Sequence, residues 1–171
     1  MDTRGRLPLP ARFRDIANEK GGEHFVITID TAERCLLLYK ETDWNDVQRR
    51  LEALSNIRES ARLLQRLLIG HATDVEVDGQ GRVLVPQILR NYASLEKKLV
   101  LMGQTNKIEI WSEEAWLQRR EEWLLDTKKK ILDDVQDYEG LSVYYRSKFE
   151  TTNINSLKSR KCSTYLCCET V

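Results

Sequence analysis

Six residues of a 16-residue stretch near the start of the chain return in order 76 positions later. Asp2, Gly5, Arg6, Pro10, Arg14 and Ala17 are matched by Asp78, Gly81, Arg82, Pro86, Arg90 and Ala93. Apolar character is shared at 7/83 and 9/85. The match continues at a slightly shorter offset. Phe25-Val26-Ile27 corresponds to Leu99-Val100-Leu101, and Cys35-Leu36-Leu37-Leu38-Tyr39 to Ile108-Glu109-Ile110-Trp111. A helical stretch follows each, with Trp44 and Trp116 near the starts. Self-similarity of this kind constrains the fold strongly, because a repeated unit buries its apolar face against its neighbour. The chain therefore reads as two copies of one small unit.

Each copy has the same physical layout. Asp-x-x-Gly-Arg between extended segments signals a turn: Gly tolerates positive φ, and Asp bonds backbone amides two residues on. Arg82-Val83-Leu84-Val85 is β-branched and apolar, which predicts a short buried strand ended by Pro86. Pro86 and Pro10 each suit the first position of a short helix, over 86–93 and 10–17. Two further strands follow in each copy, separated by polar loops at 30–34 and 103–107. Thr42 and Ser112 are candidate N-caps for the next helices, with acidic residues in the first turn. The first of these helices is expected to end near Leu54, and the second to extend as far as Gln136. A helix over about 58–69, apolar at Ala61, Leu64, Leu67 and Leu68, links the copies. One unit of three or four short strands leaves too many sheet edges open. Two units closing on each other bury them, which predicts an α+β fold built as a pseudo-two-fold β-barrel decorated by helices.

Composition narrows the function classes. Lys plus Arg and Asp plus Glu are 27 each, so the net charge is zero. That balance argues against a free-standing basic nucleic-acid binder, whose affinity comes largely from phosphate neutralisation. The distribution is uneven, however: residues 1–145 carry −3 and residues 146–171 carry +3. Arg4, Arg6, Arg12, Arg14 and Lys20 against Asp2, Asp15 and Glu19 make the first 20 residues locally basic. No apolar run approaches the roughly 20 residues of a membrane-spanning helix, and the N-terminus lacks the apolar core of a secretory signal. A cytoplasmic protein is expected.

The residues that carry the repeat also carry a resemblance. DTRGRLPLPARFR, the stretch ARLLQRLLIGHATDVEVDGQGRVLVPQILRNYA and KIEIWSEEAW together resemble the MraZ family of bacterial transcriptional regulators. The resemblance covers about residues 1–125 and implies tandem AbrB-like swapped-hairpin units, each with one Asp-x-x-x-Arg motif, Asp2/Arg6 and Asp78/Arg82. The boundaries that follow are a first unit at 1–54, a linker helix at 55–70 and a second unit at 71–125. An extension of the last helix occupies 126–137, and a disordered tail 138–171. The resemblance implies a cytoplasmic, nucleoid-associated, sequence-specific regulator of the division and cell-wall gene cluster. Its partners would be double-stranded DNA, as G-rich direct repeats upstream of its own operon, and further copies of itself in a ring-shaped homo-oligomer. No membrane, cofactor or metal is implied. Family members carry a strand ahead of the first Asp. Here Met1 adjoins Asp2, so the first half is expected to lack an edge strand.

Two readings attach to Arg6 and Arg82. As DNA contacts, their planar forks would meet phosphate or guanine O6 and N7; as turn locks, each would only bridge to its own Asp. Both hold together if Asp orients Arg towards the groove. Arg4, Arg12, Arg14 and Arg90 complete the candidate DNA-binding set, with Asp2, Gly5, Asp78 and Gly81 shaping the turns; solvated helix charge is the alternative for Arg12 and Arg14. Trp44, Trp111, Trp116 and Trp123 read as packing rather than base-stacking residues. Trp116/Trp123 and Leu117/Leu124/Ile131 recur every seven residues, as a helix–helix seam or as burial on the barrel. No catalytic residues are expected. His24 and His71 do not recur in the repeat, Cys35 reads as core, and Cys162, Cys167 and Cys168 lack a second ligand cluster at zinc spacing. No phosphate-binding Gly-rich loop is present. The rival function is a structural or protein-interaction barrel, an antitoxin-like partner binder without sequence-specific DNA binding.

Overall fold

The computed structural model describes residues 1–11, 13, 24–55, 57–133 and 168–170. They form an α+β structure with antiparallel sheets, in the order β1 (Arg6–Pro8), β2 (His24–Ile29), β3 (Leu36–Lys40), α1 (Glu41–Glu52), α2 (Glu59–Leu68), β4 (Thr73–Glu76), β5 (Arg82–Leu84), α3 (Gln87–Tyr92), β6 (Leu99–Gly103), β7 (Lys107–Ser112), α4 (Glu113–Asp133) and β8 (Cys168–Thr170). Two compact units divide them, Met1–Trp116 with Tyr165–Val171, and Leu117–Thr164.

In the first unit, β1 and β5 form a two-stranded ribbon, and the other strands a six-stranded sheet of order β4-β2-β3-β7-β6-β8. An isolated bridge between Val77 and Val83 connects the two. The ribbon register places Arg6 opposite Leu84, Leu7 opposite Val83 and Pro8 opposite Arg82. Shifting each residue to its repeat mate returns the same pairs, so each copy supplies one strand and receives the other. The flanking hydrogen bonds are equally reciprocal: Leu9 N–H donates to Gly81 O and Val85 N–H to Gly5 O, both at 2.9 Å. At the centre of the large sheet β3 meets β7, with Leu37 opposite Glu109.

Alternation of side chains along the strands sorts the layers. Leu7, Leu9, Val83 and Val85 from the ribbon share one core with Phe25, Ile27, Ile29, Leu36, Leu38, Leu99, Leu101, Ile108 and Ile110 from the sheet. The other sheet face is also covered, which is why β2 and β3 read as nearly continuous apolar runs. Helices α1 and α2 pack there: Thr28 Oγ1 donates to Leu68 O at 2.7 Å, and Gln65 Nε2 to Leu51 O at 2.7 Å. Trp44 of α1 lies 5.7 Å from the Tyr39 ring.

Several local expectations change. Thr42 caps nothing, because α1 begins at Glu41 directly from β3, with Lys40 as N-cap. Ser112 does cap α4, its Oγ accepting from Ala115 N–H at 3.2 Å. Pro86 stands as the N-cap of α3 rather than its first residue. The strand after Arg82 is buried on one face only, and Leu84 is 58% exposed. Cys168–Thr170 pairs with β6, where the sequence implies a structureless tail, since a short extended segment satisfies the backbone groups of an open edge. Within the second unit, Arg119 pairs with Glu122 and lies 5.4 Å over the Trp123 ring. Leu117, Leu124 and Leu125 are exposed.

Leu7 is fully buried at the centre of the ribbon. Leu7→Ala is expected to cost about 2–5 kcal/mol of unfolding free energy, measured by urea denaturation. A loss under about 1 kcal/mol would mean that the ribbon is not part of the cooperative core.

Candidate nucleic-acid interface

The two Asp-x-x-Gly-Arg segments fold into the same turn. Gly5 (φ 84°) and Gly81 (φ 73°) occupy the left-handed region that favours glycine. Gly5 N–H donates to Asp2 O at 3.0 Å, and Gly81 N–H to Asp78 O at 2.8 Å. One carboxylate oxygen of Asp2 accepts from Arg4 N–H and Arg6 N–H, both at 2.9 Å. Asp78 does the same for Gln80 N–H at 2.9 Å and Arg82 N–H at 3.0 Å. The second oxygen takes the Arg side chain: Arg6 Nε donates to Asp2 at 2.7 Å and Arg82 Nε to Asp78 at 2.9 Å. Arg82 Nη2 is also 2.8 Å from the Asp78 carboxylate.

The lock and the presented guanidinium are therefore parts of one arrangement. Each carboxylate organises the turn through the backbone and fixes the Arg plane through Nε. A fork held this way keeps donors on its terminal nitrogens, and both arginine side chains are a quarter to a third exposed.

The ribbon then brings the two turns together. Leu7 and Val83 point into the core, so Arg6, Pro8, Arg82 and Leu84 share the opposite, outward face. Arg6 and Arg82 lie on a cross-strand diagonal, a spacing of about 7–8 Å. One arginine from each copy thus stands on a single small face, flanked by the exposed Leu84. Pro8 and Leu84 escaped the sequence reading because Val83-Leu84-Val85 looks uniformly apolar; strict alternation from the buried Leu7 was the signal that places them.

The other candidates divide. Arg4 is exposed on the first turn, where the second copy has Gln80. Arg90, from α3, lies against the first turn: a Cβ on Gly5 would come within 2.7 Å of its Cζ. Its Nε is buried with no hydrogen-bond partner among the described residues. Arg90 therefore packs a turn of the opposite copy, and only part of its fork reaches the surface. Arg12 and Arg14 lie outside the described residues, as do Cys162 and Cys167.

Trp111 is buried and donates from Nε1 to Glu109 at 3.0 Å, and its ring is 5.8 Å from that of Trp116. Glu109 is buried too, accepting from Gln104 at 2.6 Å and lying 3.5 Å from Lys107 Nζ. Burial pushes the Cys35 thiol pKa far up, which makes it an inert core residue. His71 Nδ1 is 2.8 Å from Leu67 O, and His24 Nδ1 is 3.7 Å from Glu76. No helix among the described residues is long and apolar enough to cross a membrane.

Known proteins repeat this pattern. The model of the MraZ protein family, described as antitoxin-like, matches residues 1–67 and again 68–131. The chain belongs to the MraZ family. A transcriptional regulator MraZ from Legionella pneumophila (strain Corby) is 51% identical over 126 residues, covering 74% of this chain and 83% of its own. The Marinomonas sp. (strain MWYL1) MraZ regulator is 47% identical over 136 residues, 80% of this chain and 88% of that one. The Coxiella burnetii (strain Dugway 5J108-111) MraZ regulator is 41% identical over 143 residues, 84% and 94% of the two chains. The family is one of transcriptional regulators, not enzymes.

The turns make an acid-sensitive prediction. The Arg82 side-chain hydrogen bond, with the backbone donors, holds the Asp78 carboxyl at about 2, below the ordinary 3.8; Asp2 is also lowered, chiefly by the Arg6 backbone N–H. A carboxyl depressed by folding contributes stability above its unfolded value and loses it as pH falls through the folded one. The Asp78 contribution is therefore complete above about pH 4 and fades towards pH 2. A carboxyl-carbon NMR titration should find the Asp78 midpoint near 2; a midpoint at 3.8 or above would refute the lock.

Proposed function

We propose that the chain is a sequence-specific DNA-binding transcriptional regulator that uses the outward face of the β1–β5 ribbon. The carrying observation is the presence of Arg6 and Arg82, one from each copy and each oriented by its own Asp, on that one face. A two-stranded ribbon is narrow enough to enter a major groove about 12 Å wide. Arginine forks there pair with guanine O6 and N7, which fits a G-rich site. In this reading Arg4 and the outer part of Arg90 meet phosphate, and Arg12 and Arg14 complete the proposed set. Pro8 and Leu84 supply apolar contact to thymine methyls or sugars.

The architecture proposed for this face is two AbrB-like swapped-hairpin units, 1–54 and 71–125, joined by the helix within 55–70 and closed as a pseudo-two-fold barrel. The reciprocal ribbon hydrogen bonds and the single shared core support it. One face with two arginines makes few contacts, so occupancy needs repetition. Several copies in a ring, set against direct repeats, raise effective concentration to the order of mM when the spacing fits. The exposed Leu117 and Leu124 are available for that self-association. The natural site is G-rich direct repeats upstream of the protein's own operon, within the division and cell-wall gene cluster. The site of action is the cytoplasmic nucleoid.

Fluorescence anisotropy on a duplex of G-rich direct repeats and on a scrambled duplex, over a series of salt concentrations, tests this reading. Tighter binding to the repeats is expected throughout; equal affinity for both at every salt concentration excludes it. Arg82→Ala is expected to reduce discrimination by about 1–3 kcal/mol, roughly 5- to 150-fold, with the fold and the sedimenting mass preserved. Unfolding of that variant under the same conditions would leave Arg82 as a turn lock alone.

A further inference from the structure

The glycine of the first Asp turn is gripped from two sides by the second copy. Its carbonyl accepts from Val85 N–H at 2.9 Å. Its α-carbon faces Arg90: a Cβ placed there would lie 2.7 Å from Cζ, 2.8 Å from Nε and 3.0 Å from Nη1. Distances so nearly equal to three adjacent atoms of a planar group mean that the guanidinium presents its face, not its edge, to the glycine. Gly5 is buried, with a φ of 84° that suits glycine. The bare α-carbon thus serves twice, once for the turn and once as the seat of Arg90.

Arg90 is itself held in place. Its N–H donates to Pro86 O at 3.0 Å, and its carbonyl accepts from Leu95 N–H at 2.9 Å. Leu89 and Ala93, on either side of it, are buried. Two residues on, the Tyr92 hydroxyl donates to Asp30 O at 2.7 Å. The α3 segment therefore meets the first copy at two points, the Asp2 turn and the loop at 30–34. Yet Arg90 Nε is buried with no hydrogen-bond partner among the described residues. A buried donor left unpaired works against stability, and an aliphatic side chain would cover Gly5 without that cost. Anchoring of α3 alone does not account for a guanidinium here.

The contacts continue from Gly5 to Arg6. Gly5 N–H donates to Asp2 O at 3.0 Å and Asp2 N–H to Arg6 O at 3.1 Å, while the Asp2 carboxylate holds Arg6 through Nε. A shift of Gly5 is therefore a shift of the carboxylate that aims Arg6. We propose that Arg90 is a positioning residue: by seating its guanidinium face on Gly5, the second copy holds the first turn in the shape that aims Arg6. Arginine suits this task better than lysine, because a planar, weakly hydrated guanidinium packs flat where an ammonium keeps its water. The positioning is independent of what Arg6 binds; its effect on base discrimination rests on the DNA-binding reading above.

Two variants of the full chain test it. Arg90→Lys keeps the charge and loses the plane; Arg90→Met keeps an unbranched stem and loses the charge. Exchange of the Arg6 Nε–H with solvent is followed by NMR, with the Arg82 Nε–H as internal reference. Both variants are expected to speed exchange at Arg6 by about tenfold or more and to leave Arg82 unchanged. Unchanged exchange at Arg6 in the Lys form overturns the proposal. So does equal acceleration at both arginines, which would make Arg90 a general contributor to stability. If the Met form does not fold, the Lys form decides alone. On DNA, the Lys form is expected to lose about fivefold or more of the discrimination between repeat and scrambled duplexes, with the salt dependence of binding kept. Full discrimination in the Lys form, with a salt slope reduced by about one in the Met form, would make Arg90 a phosphate contact only and overturn the proposal. If the unaltered chain does not discriminate, the DNA reading fails, and the exchange measurement still decides the positioning.

Discussion

Two reciprocal main-chain hydrogen bonds, Leu9 to Gly81 and Val85 to Gly5, hold the ribbon on which the rest of the structure depends. They join the strand after one Asp turn to the glycine of the other. Neither copy can satisfy its own β1- or β5-type strand, because the partner strand belongs to the other copy. The same register that drives Leu7 and Val83 into the core forces Arg6 and Arg82 outward. Core formation and presentation of the candidate interface are one event, so selection for stability at the ribbon centre also fixes the arginines.

The turns add a constraint of a different kind. A carboxylate accepting two backbone N–H groups and an arginine Nε has little freedom left, and its depressed pKa reports how strongly those donors favour the charged form. These groups are substantially exposed, so their ion pairing alone adds little to stability. What the carboxylate supplies is orientation: the guanidinium plane is fixed before any partner arrives, which lowers the entropy lost on binding. Glycine at the positive-φ position completes the turn, and at Gly5 a Cβ would displace the Arg90 guanidinium.

Much of this was legible in the sequence because duplication writes the same physics twice. The repeated Asp, Gly and Arg located both turns, and the apolar runs located β2, β3, β6 and β7. The sheet order was not legible, because pairing between copies is a tertiary choice that one copy's pattern does not encode. Leu84 was misplaced by composition: a leucine between two valines looks like core until the period of two is anchored on a residue known to be buried. Thr42 failed as a cap because β3 runs straight into α1, leaving no loop in which a capping side chain could act. The pairing of residues 168–170 with β6 was invisible for a simpler reason. Edge pairing is made by backbone atoms, and nearly any short sequence supplies those.

The two copies are alike in their turns and unlike in charge. Arg4 stands where the other copy has Gln80, so the Asp2 turn carries the additional positive charge. A zero net charge is compatible with a DNA interface on these terms. The field at long range is weak, which keeps non-specific affinity low, while the charge that matters is concentrated within one small face. A pseudo-symmetric ribbon with unequal ends also has a direction. Direction is what distinguishes a direct repeat from a palindrome, since a perfectly two-fold reader favours a two-fold site.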